Sequence, residues 1–256
     1  MLYLRLMIAS ILASAAVPVA AQEVYLGVSG GASLPNDSKN QGIFTKTVPA
    51  TPNYPAIPAG TDLRWRTKFD TGYNVAGQIG IRWDNVFRTE LEVTYSKYDV
   101  RSHRRLAVGG TVIDGLDSAV LTRGKPSASD PTVGKVLDSG IGDVENLGGF
   151  LNFYYDIPTH SAFRPYFGGG VGVERVKVNY SPSNVKVVQD SSTAFAYQLG
   201  AGASFRLSKR VELFGQYNYR TTSQRINTNV SLLPATLGVE SQQSLFNAGV
   251  RLNFGH

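Results

Sequence analysis

The sequence predicts an all-β fold, an eight-stranded antiparallel up-and-down transmembrane β-barrel with short periplasmic turns and four long outer loops. Three observations predict it. Apolar and polar residues alternate with a period of two in eight segments of the chain, which is the pattern of strands with one apolar and one polar face. The connections between these segments are alternately short and long. Beyond the N-terminus, no apolar run is long enough for a membrane-spanning helix.

The N-terminal residues 1–21 predict a cleaved secretory signal peptide. Arg5 precedes an apolar run of about ten residues, and Ala20–Ala21 supply the small residues expected at a cleavage site. This run is too short to span a bilayer. We therefore expect residues 22–256 to be exported and to form one barrel domain. The chain has no cysteine, so no disulfide framework supports this domain in an oxidising compartment.

The eight alternating segments are interpreted as the barrel strands. In chain order they span residues 24–33, 69–83, 87–98, 146–156, 163–178, 193–206, 211–222 and 245–254. The last segment shows the pattern plainly, because Phe246, Val250 and Phe254 share one face while Asn247 and Arg251 share the other. Each segment is long enough to cross a bilayer when tilted.

The connections give the barrel its orientation. Three of them are short, namely 83–86, 157–161 and 207–210. Four are long, namely 34–67, 102–142, 180–192 and 227–240. Short and long connections alternate, so all the short ones lie at one end of the sheet, as the tight periplasmic turns of an outer-membrane barrel do.

Alternation alone does not say which face points inward, and a soluble barrel with an apolar ligand cavity is the alternative. Aromatic residues near the strand ends favour the membrane barrel, because such residues form interfacial girdles. They are Phe69, Trp83, Phe87, Tyr155, Phe163, Phe205, Tyr219 and Phe254. The polar faces are rich in glycine and small amides, which suits a narrow and crowded lumen.

The glycine-rich stretch "RPYFGGGVGVE" (164–174) raises the alternative of a phosphate-binding loop. Such a loop needs a following helix and usually a lysine. Here the period of two continues through Val171–Val178, so the stretch is predicted to be a strand whose inward glycines leave room for bulky neighbours.

Together with "NFYYDIP" (152–158), this stretch resembles a motif of small outer-membrane β-barrel proteins of the opacity-protein and surface-antigen type, relatives of the OmpA barrel domain. The resemblance covers essentially residues 22–256. It implies an outer-membrane location and a role as adhesin, envelope-stabilising protein or surface antigen. It also implies recognition by the barrel-insertion machinery of the C-terminal strand that ends at Phe254, although Gly255–His256 follow that aromatic residue here.

The inward faces carry charges of both signs. They are Arg82, Arg88, Glu90, Glu92, Glu174, Arg206, Glu212, Arg220 and Arg251. The interior of an eight-stranded barrel is just wide enough for side chains, and buried charges must pair. These nine residues therefore predict a salt-bridged and largely closed lumen. A narrow porin for small solutes is the alternative.

A lipid A-modifying membrane enzyme is a further alternative, which would need a serine, a histidine and an acid on the outward surface. The three histidines do not supply this set. His103 lies in a predicted outer loop, His160 in a periplasmic turn and His256 at the C-terminus. We therefore predict no enzyme, no catalytic residue and no cofactor. Since no metal-ligand spacing is present either, no metal site is predicted.

The outer loops are the expected site of contact with partners. The cluster "RSHRR" begins where the third predicted strand leaves the membrane, and Arg101, His103, Arg104 and Arg105 are predicted to contact lipopolysaccharide phosphates. Loops 34–67 and 102–142 are predicted to carry any extracellular or host ligand. Outer-membrane lipids are the remaining expected partners, and no nucleic-acid partner is expected.

Overall fold

The computed structural model describes residues 22–138, 142–180, 188–223, 226–229, 234–239 and 241–254. The predicted signal peptide lies outside these residues and stays a prediction. The strands within them are β1 (Gln22–Pro35), β2 (Ser38–Phe44), β3 (Asp62–Phe69), β4 (Gly72–Trp83), β5 (Phe87–Val108), β6 (Thr111–Val112), β7 (Gly142–Asp156), β8 (Phe163–Tyr180), β9 (Val188–Arg206), β10 (Val211–Thr222), β11 (Ile226–Asn229), β12 (Ala235–Val239) and β13 (Gln242–Asn253). The helices are α1 (Ala119–Thr122) and α2 (Val133–Asp138). Neither of them is long or apolar enough to cross a membrane.

Eight of these strands close into a barrel. Their order around the ring is β1, β4, β5, β7, β8, β9, β10 and β13, and β13 pairs with β1 to close it. Every neighbouring pair is antiparallel. Closure leaves no free sheet edge in the membrane, so every ladder hydrogen bond of the wall finds its partner. The predicted fold class, an eight-stranded antiparallel barrel, is confirmed.

Aromatic residues mark both ends of the apolar outer wall. Near the periplasmic turns, Phe87, Tyr155 and Phe167 stand side by side on three adjacent strands, with ring centroids 5.4 and 5.6 Å apart. At the outer end, Tyr73 and Tyr95 lie 6.2 Å apart on β4 and β5. Aromatic rings favour the membrane–water interface, where an apolar body meets a polar boundary. The wall between the two rows is therefore the part that lipid surrounds.

Arginine placed on this wall should disrupt the barrel in proportion to its depth. Val93 of β5 is 63% exposed on the wall between the two aromatic rows, and Val93→Arg should lower the free energy of unfolding by about 2–4 kcal/mol in lipid vesicles. Tyr73→Arg at the outer boundary is the matched control and should cost no more than about 1 kcal/mol. Urea titration of both variants measures the difference. Equal costs at the two depths would contradict the assignment of the lipid-facing wall.

The predicted outer loops 34–67, 102–142 and 227–240 are a correction, because all three contain strands. β5 runs ten residues beyond the predicted end at residue 98, to Val108. A second sheet with the order β11-β12-β2-β3-β5 forms on this extension, and the short β6 pairs with β5 beside it. Phe69, predicted to begin a barrel strand, instead ends β3, and the barrel strand begins at Gly72. We call this second sheet the outer sheet.

The outer sheet has a hydrophobic core of its own. Its buried residues are Phe44, Leu63, Leu106, Val133 and Ala235. They come from β2, β3, β5, α2 and β12, so one core ties together three of the segments that follow barrel strands. Full burial of a large apolar side chain is worth about 1.5–3 kcal/mol. The sheet, the two helices and this core form a folded unit above the membrane, which we call the outer domain.

Two bulges in β5 shift which of its residues point to each face of the outer sheet, so the simple alternation of the sequence is not followed. The register against β3 shifts near Arg101 and again near Arg105. Arg105 has a positive φ of 58°, and the Asp114 carboxylate accepts hydrogen bonds from the N–H groups of Arg105 and Leu106, both at 2.7 Å. An inserted residue of this kind bends a strand and exchanges its faces. Leu106 consequently points into the outer core.

Candidate functional site: the barrel lumen

The periplasmic half of the lumen is organised around Arg82 of β4. Its guanidinium contacts three carboxylates, with distances of 2.6 Å to Glu23 Oε2, 3.2 Å to Asp156 Oδ2 and 3.0 Å to Glu212 Oε2. Asp156 also accepts a hydrogen bond of 2.8 Å from Arg88 Nε. The planar guanidinium fork suits such multiple contacts. One arginine therefore joins β4 to β1, β7 and β10 across the lumen.

Two further arginines complete this group, which we call the lower cluster. Arg251 Nη1 lies 3.1 Å from Glu212 Oε1. Arg206 Nη2 lies 3.2 Å from Glu23 Oε2, near the periplasmic end, and 28% of its side chain is exposed. Each of the three acids of the lower cluster is thus shared between two arginines.

Aromatic rings stack against the arginines of the lower cluster. Arg88 lies between Tyr154 and Tyr166, at 4.9 and 4.3 Å from the ring centroids. Arg251 lies 5.3 Å from Tyr166 and 3.8 Å from Phe214. Both Nη atoms of Arg88 have no hydrogen-bond partner among the described residues, so the ring faces take that place. A desolvated cation over an aromatic face gains up to about 2 kcal/mol.

Inward glycines give these rings their space. A Cβ added at Gly202 would lie 2.7 Å from Tyr166 Cζ, and one at Gly249 would lie 2.6 Å from Phe214 Cζ. Both distances are too short for real carbon atoms. Gly202 and Gly249 are therefore required by these rings and by the neighbouring backbone, whose Gly215 and Val28 carbonyl oxygens would lie still closer to the added Cβ atoms.

A second charged group, the upper cluster, lies further toward the outside. Arg220 Nη2 lies 2.9 Å from Glu92 Oε1, and its Nε donates to Gln198 Oε1 at 3.0 Å. Gln198 Nε2 donates to Asn152 Oδ1 at 2.8 Å. The Arg220 guanidinium lies 4.3 Å above the Phe150 ring. This cluster contains one close ion pair, Glu92–Arg220, held by neutral amides.

Two other lumen acids have weaker partners. Glu90 Oε2 accepts a hydrogen bond of 2.8 Å from the Tyr25 hydroxyl and lies 4.0 Å from Arg88 Nη1. Glu174 Oε1 accepts one of 3.4 Å from Gln243 Nε2. Glu90 thus extends the lower cluster, and Glu174 lies above the upper one.

Apolar side chains cover the lumen at its outer end. The buried members are Tyr98, Val144 and Val176, and Phe69, Val178 and Ala194 pack against them. Tyr98 and Phe69 meet edge to face, with centroids 5.2 Å apart. Charged layers and an apolar cap thus follow one another along the barrel axis.

The structure places the nine sequence-predicted lumen charges in one interior. Eight are buried, and Arg206 is partly exposed at the periplasmic end. Sequence reasoning missed two acids, Glu23 and Asp156, although both bind Arg82. Asp156 continues the period of two from Asn152, which is a signal that could have found it. Glu23 precedes the predicted start of its strand, and no pattern marked it.

The predicted lipopolysaccharide residues do not form one cluster. Arg101 Nη2 lies 2.6 Å from Asp70 Oδ1, and Arg104 Nη2 lies 3.6 Å from Asp138 Oδ1. Arg105 is exposed at the bulge. The two bulges turn the side chains of these three arginines in different directions. Contact of the three with lipopolysaccharide stays a prediction.

His103 cannot take part in such contact, because its ring is buried on the core-facing side of the outer sheet. Its Nδ1 lies 2.7 Å from Thr67 Oγ1, and its ring meets Trp65 edge to face. Burial lowers the pKa of His103 to about 4. The ring is therefore neutral near pH 7 and contributes no positive charge to the surface.

The remaining histidines offer no catalytic arrangement in the described residues. His160 is exposed in the turn after β7, and the neighbouring Ser161 hydroxyl donates to the Phe163 carbonyl oxygen at 3.1 Å. His256 lies outside the described part of the chain. Within that part, no group of three or more histidine, cysteine, aspartate or glutamate side chains could hold a metal ion.

Comparison with known families agrees with this geometry. The model of the family described as outer membrane protein beta-barrel domain matches residues 6–254. The chain belongs to this family. Its location is accordingly the outer membrane, and the apolar wall between the aromatic rows is the surface that this membrane covers.

The chain is similar to a curated protein and to solved outer-membrane barrel structures. Over 201 residues it is 27% identical to a Rickettsia conorii protein with the provisional name of an adhesin, and the match covers 74% of this chain and 68% of that protein. The solved structure of OprG from Pseudomonas aeruginosa is similar with a TM-score of 0.53 and 16% identity, over 93% of this chain and 97% of that one. Neisserial surface protein A gives a TM-score of 0.44 and 15% identity, over 90% and 97%. The structural matches concern the fold alone.

Proposed function

We propose that this outer-membrane barrel is a non-enzymatic surface protein, in which a closed and rigid barrel carries the outer domain as its adhesive part. The observation that carries this proposal is the interior of ion-paired side chains. Two charged clusters and an apolar cap follow one another along the barrel axis. Such an interior supports the barrel and leaves the outer domain as the surface that meets partners.

The structure of the outer domain supports its proposed adhesive role. A sheet with its own hydrophobic core presents a defined surface, which binding partners recognise at lower entropic cost than a mobile loop. The relative from Rickettsia conorii with an adhesin name supports the same role. We place any extracellular or host ligand on the segments 34–67 and 102–142, as expected from the sequence.

The proposal also covers two partners at the membrane, lipopolysaccharide and the barrel-insertion machinery. Lys97 lies just beyond the outer aromatic residue Tyr95, and Arg101 is largely exposed above it. Cations at this level suit the phosphates of lipopolysaccharide. At the other end, Phe254 is exposed to lipid and donates its N–H to the Val24 carbonyl oxygen at 2.7 Å. We propose this terminal strand as the part that the insertion machinery reads.

Planar-bilayer recording tests the closed lumen. We expect wild-type protein to show no steady single-channel conductance, because ion-paired side chains and the apolar cap occupy successive levels of the lumen. Heat-modifiable gel migration of the same sample shows that the barrel is folded. Steady conductance of folded wild-type protein would favour the narrow porin and overturn the closed-lumen proposal.

A further inference from the structure

One face of the outer sheet is strongly basic. It is the face opposite the outer core, and we call it the basic face. Its cations are Lys39 of β2, Arg64, Arg66 and Lys68 of β3, and Arg104 of β5, all of them exposed. No aromatic residue occupies the positions of β2, β3 and β5 that share this face.

Three of these cations stand directly opposite one another. Lys39 pairs with Arg66 across β2 and β3, and Arg66 pairs with Arg104 across β3 and β5. Directly opposed like charges destabilise a sheet, and side chains so paired lie about 5 Å apart at their Cβ atoms. The row therefore favours a bound anion.

Internal acids do not neutralise the basic face. Arg64 lies 2.8 Å from Asp62 and Arg104 lies 3.6 Å from Asp138, both in exposed pairs. Among the residues that the structure describes, no carboxylate lies within 4.0 Å of Lys39, Arg66 or Lys68. Three cations thus remain available to a ligand.

Hydrogen bonds beneath the row hold the three strands in register. Ser38 Oγ donates to Asn40 Oδ1 at 2.8 Å, and Asn40 Nδ2 donates to Thr67 Oγ1 at 2.6 Å. Thr67 Oγ1 lies 2.7 Å from His103 Nδ1. This buried chain runs from β2 through β3 to β5. The cations above it are therefore mounted on a fixed support, and less ordering is needed when a ligand binds.

We infer that the basic face binds a sulfated polysaccharide. This inference rests on the proposed adhesive function and names the ligand class. Guanidinium and ammonium groups spaced about 4.8 Å across strands and about 7 Å along β3 match a chain that carries repeated oxyanions. The face has no aromatic residue on which bases of a single-stranded nucleic acid would stack or that would anchor a protein partner.

The row Lys39–Arg66–Arg104 lies above the membrane surface, which distinguishes its ligand from lipid. Arg104 is nine residues beyond Tyr95, so it lies at most about 30 Å further along the strand and at most about 20 Å above the aromatic level for a tilt near 45°, because the bulge near Arg101 shortens the rise. Lipid phosphates lie at the aromatic level. The row Lys39–Arg66–Arg104 is therefore positioned for an extracellular chain and not for lipid A.

Binding to immobilised heparin, measured across a salt series, tests the inference. K39Q/R66Q/K68Q should weaken the affinity at least tenfold and flatten its salt dependence, because three screened contacts are lost. K46Q/K125Q/K135Q, which removes three exposed cations elsewhere in the outer domain, should change it less than twofold. Gel migration and circular dichroism show that both variants are folded.

Three results would overturn the inference. The first is equal weakening of heparin binding in both triple variants, and the second is no binding of heparin by wild-type protein. The third comes from lipopolysaccharide vesicles as a second surface: K39Q/R66Q/K68Q loses binding to these vesicles but not to heparin. Unsulfated hyaluronate should bind weakly or not at all, and equal binding would contradict the sulfate requirement. Adhesion of protein-expressing bacteria to cultured animal cells separates the two proposals. Adhesion that K39Q/R66Q/K68Q leaves unchanged overturns the glycan site alone, and no adhesion by wild type overturns the adhesive function.

Discussion

Arg82→Gln should lower the free energy of unfolding of the barrel by about 3–5 kcal/mol, the cost of breaking a buried ion pair by removing one partner. Arg82 is 1% exposed and contacts Glu23, Asp156 and Glu212. Its loss leaves three carboxylates crowded together with too few donors. Urea titration of the protein in lipid vesicles, followed by tryptophan fluorescence, measures the change.

Arg206→Gln is the matched control for this prediction. Arg206 also contacts Glu23, at 3.2 Å, but 28% of its side chain is exposed. Water screens such a pair, so we expect a cost below about 1 kcal/mol. Arg82→Lys keeps the charge without the planar fork and should recover part of the stability. Equal costs for Arg82→Gln and Arg206→Gln would contradict the central role of Arg82.

Glu92→Gln should also destabilise the barrel by about 3–5 kcal/mol, because it leaves the buried Arg220 guanidinium without its anion. The pair is the one close ion contact of the upper cluster, at 2.9 Å. Arg220→Gln should cost a similar amount, because it leaves the buried Glu92 carboxylate without its cation. The double variant should recover part of the loss, with a coupling of about 1–3 kcal/mol in a double-mutant cycle.

The control cycle combines Glu92→Gln with Arg251→Gln. Arg251 pairs with Glu212 in the lower cluster, so its effect should add to that of Glu92→Gln within about 0.5 kcal/mol. Conductance recorded on the same variants tests whether a loosened upper cluster lets ions pass. Full additivity of Glu92→Gln and Arg220→Gln, with no change in conductance, would contradict the proposal of a plug held by this pair.

Much of the barrel could be predicted from the sequence because a strand has a period of two and lipid rewards its apolar face. The same period assigned Arg82, Glu92 and Arg220 to the interior. It could not say that Glu92 meets Arg220, because pairing across a lumen depends on the stagger between strands that are far apart in the chain. The contact of Arg82 with Glu23 joins two residues that are directly paired on the neighbouring strands β4 and β1, and it was missed because Glu23 precedes the predicted start of its strand.

The outer domain was not predictable by this reasoning. Bulges at Arg101 and Arg105 interrupt the alternation of β5, so the strand seemed to end at residue 98. The outer core joins Phe44, Leu63 and Ala235, which are distant in sequence. No local pattern predicts a core whose residues come from separate connections. Each connection by itself has the pattern of a loop.

The length of β5 has a mechanical consequence. This strand runs without a break from Phe87 at the periplasmic turn to Val108 in the outer sheet, and within the wall it is paired along both edges with β4 and β7. A pulling force on the outer sheet is therefore transmitted along β5 into the wall. There it loads both hydrogen-bonded ladders in shear, so many bonds share the load at once. The wall therefore resists such a force through two ladders of hydrogen bonds rather than through single bonds.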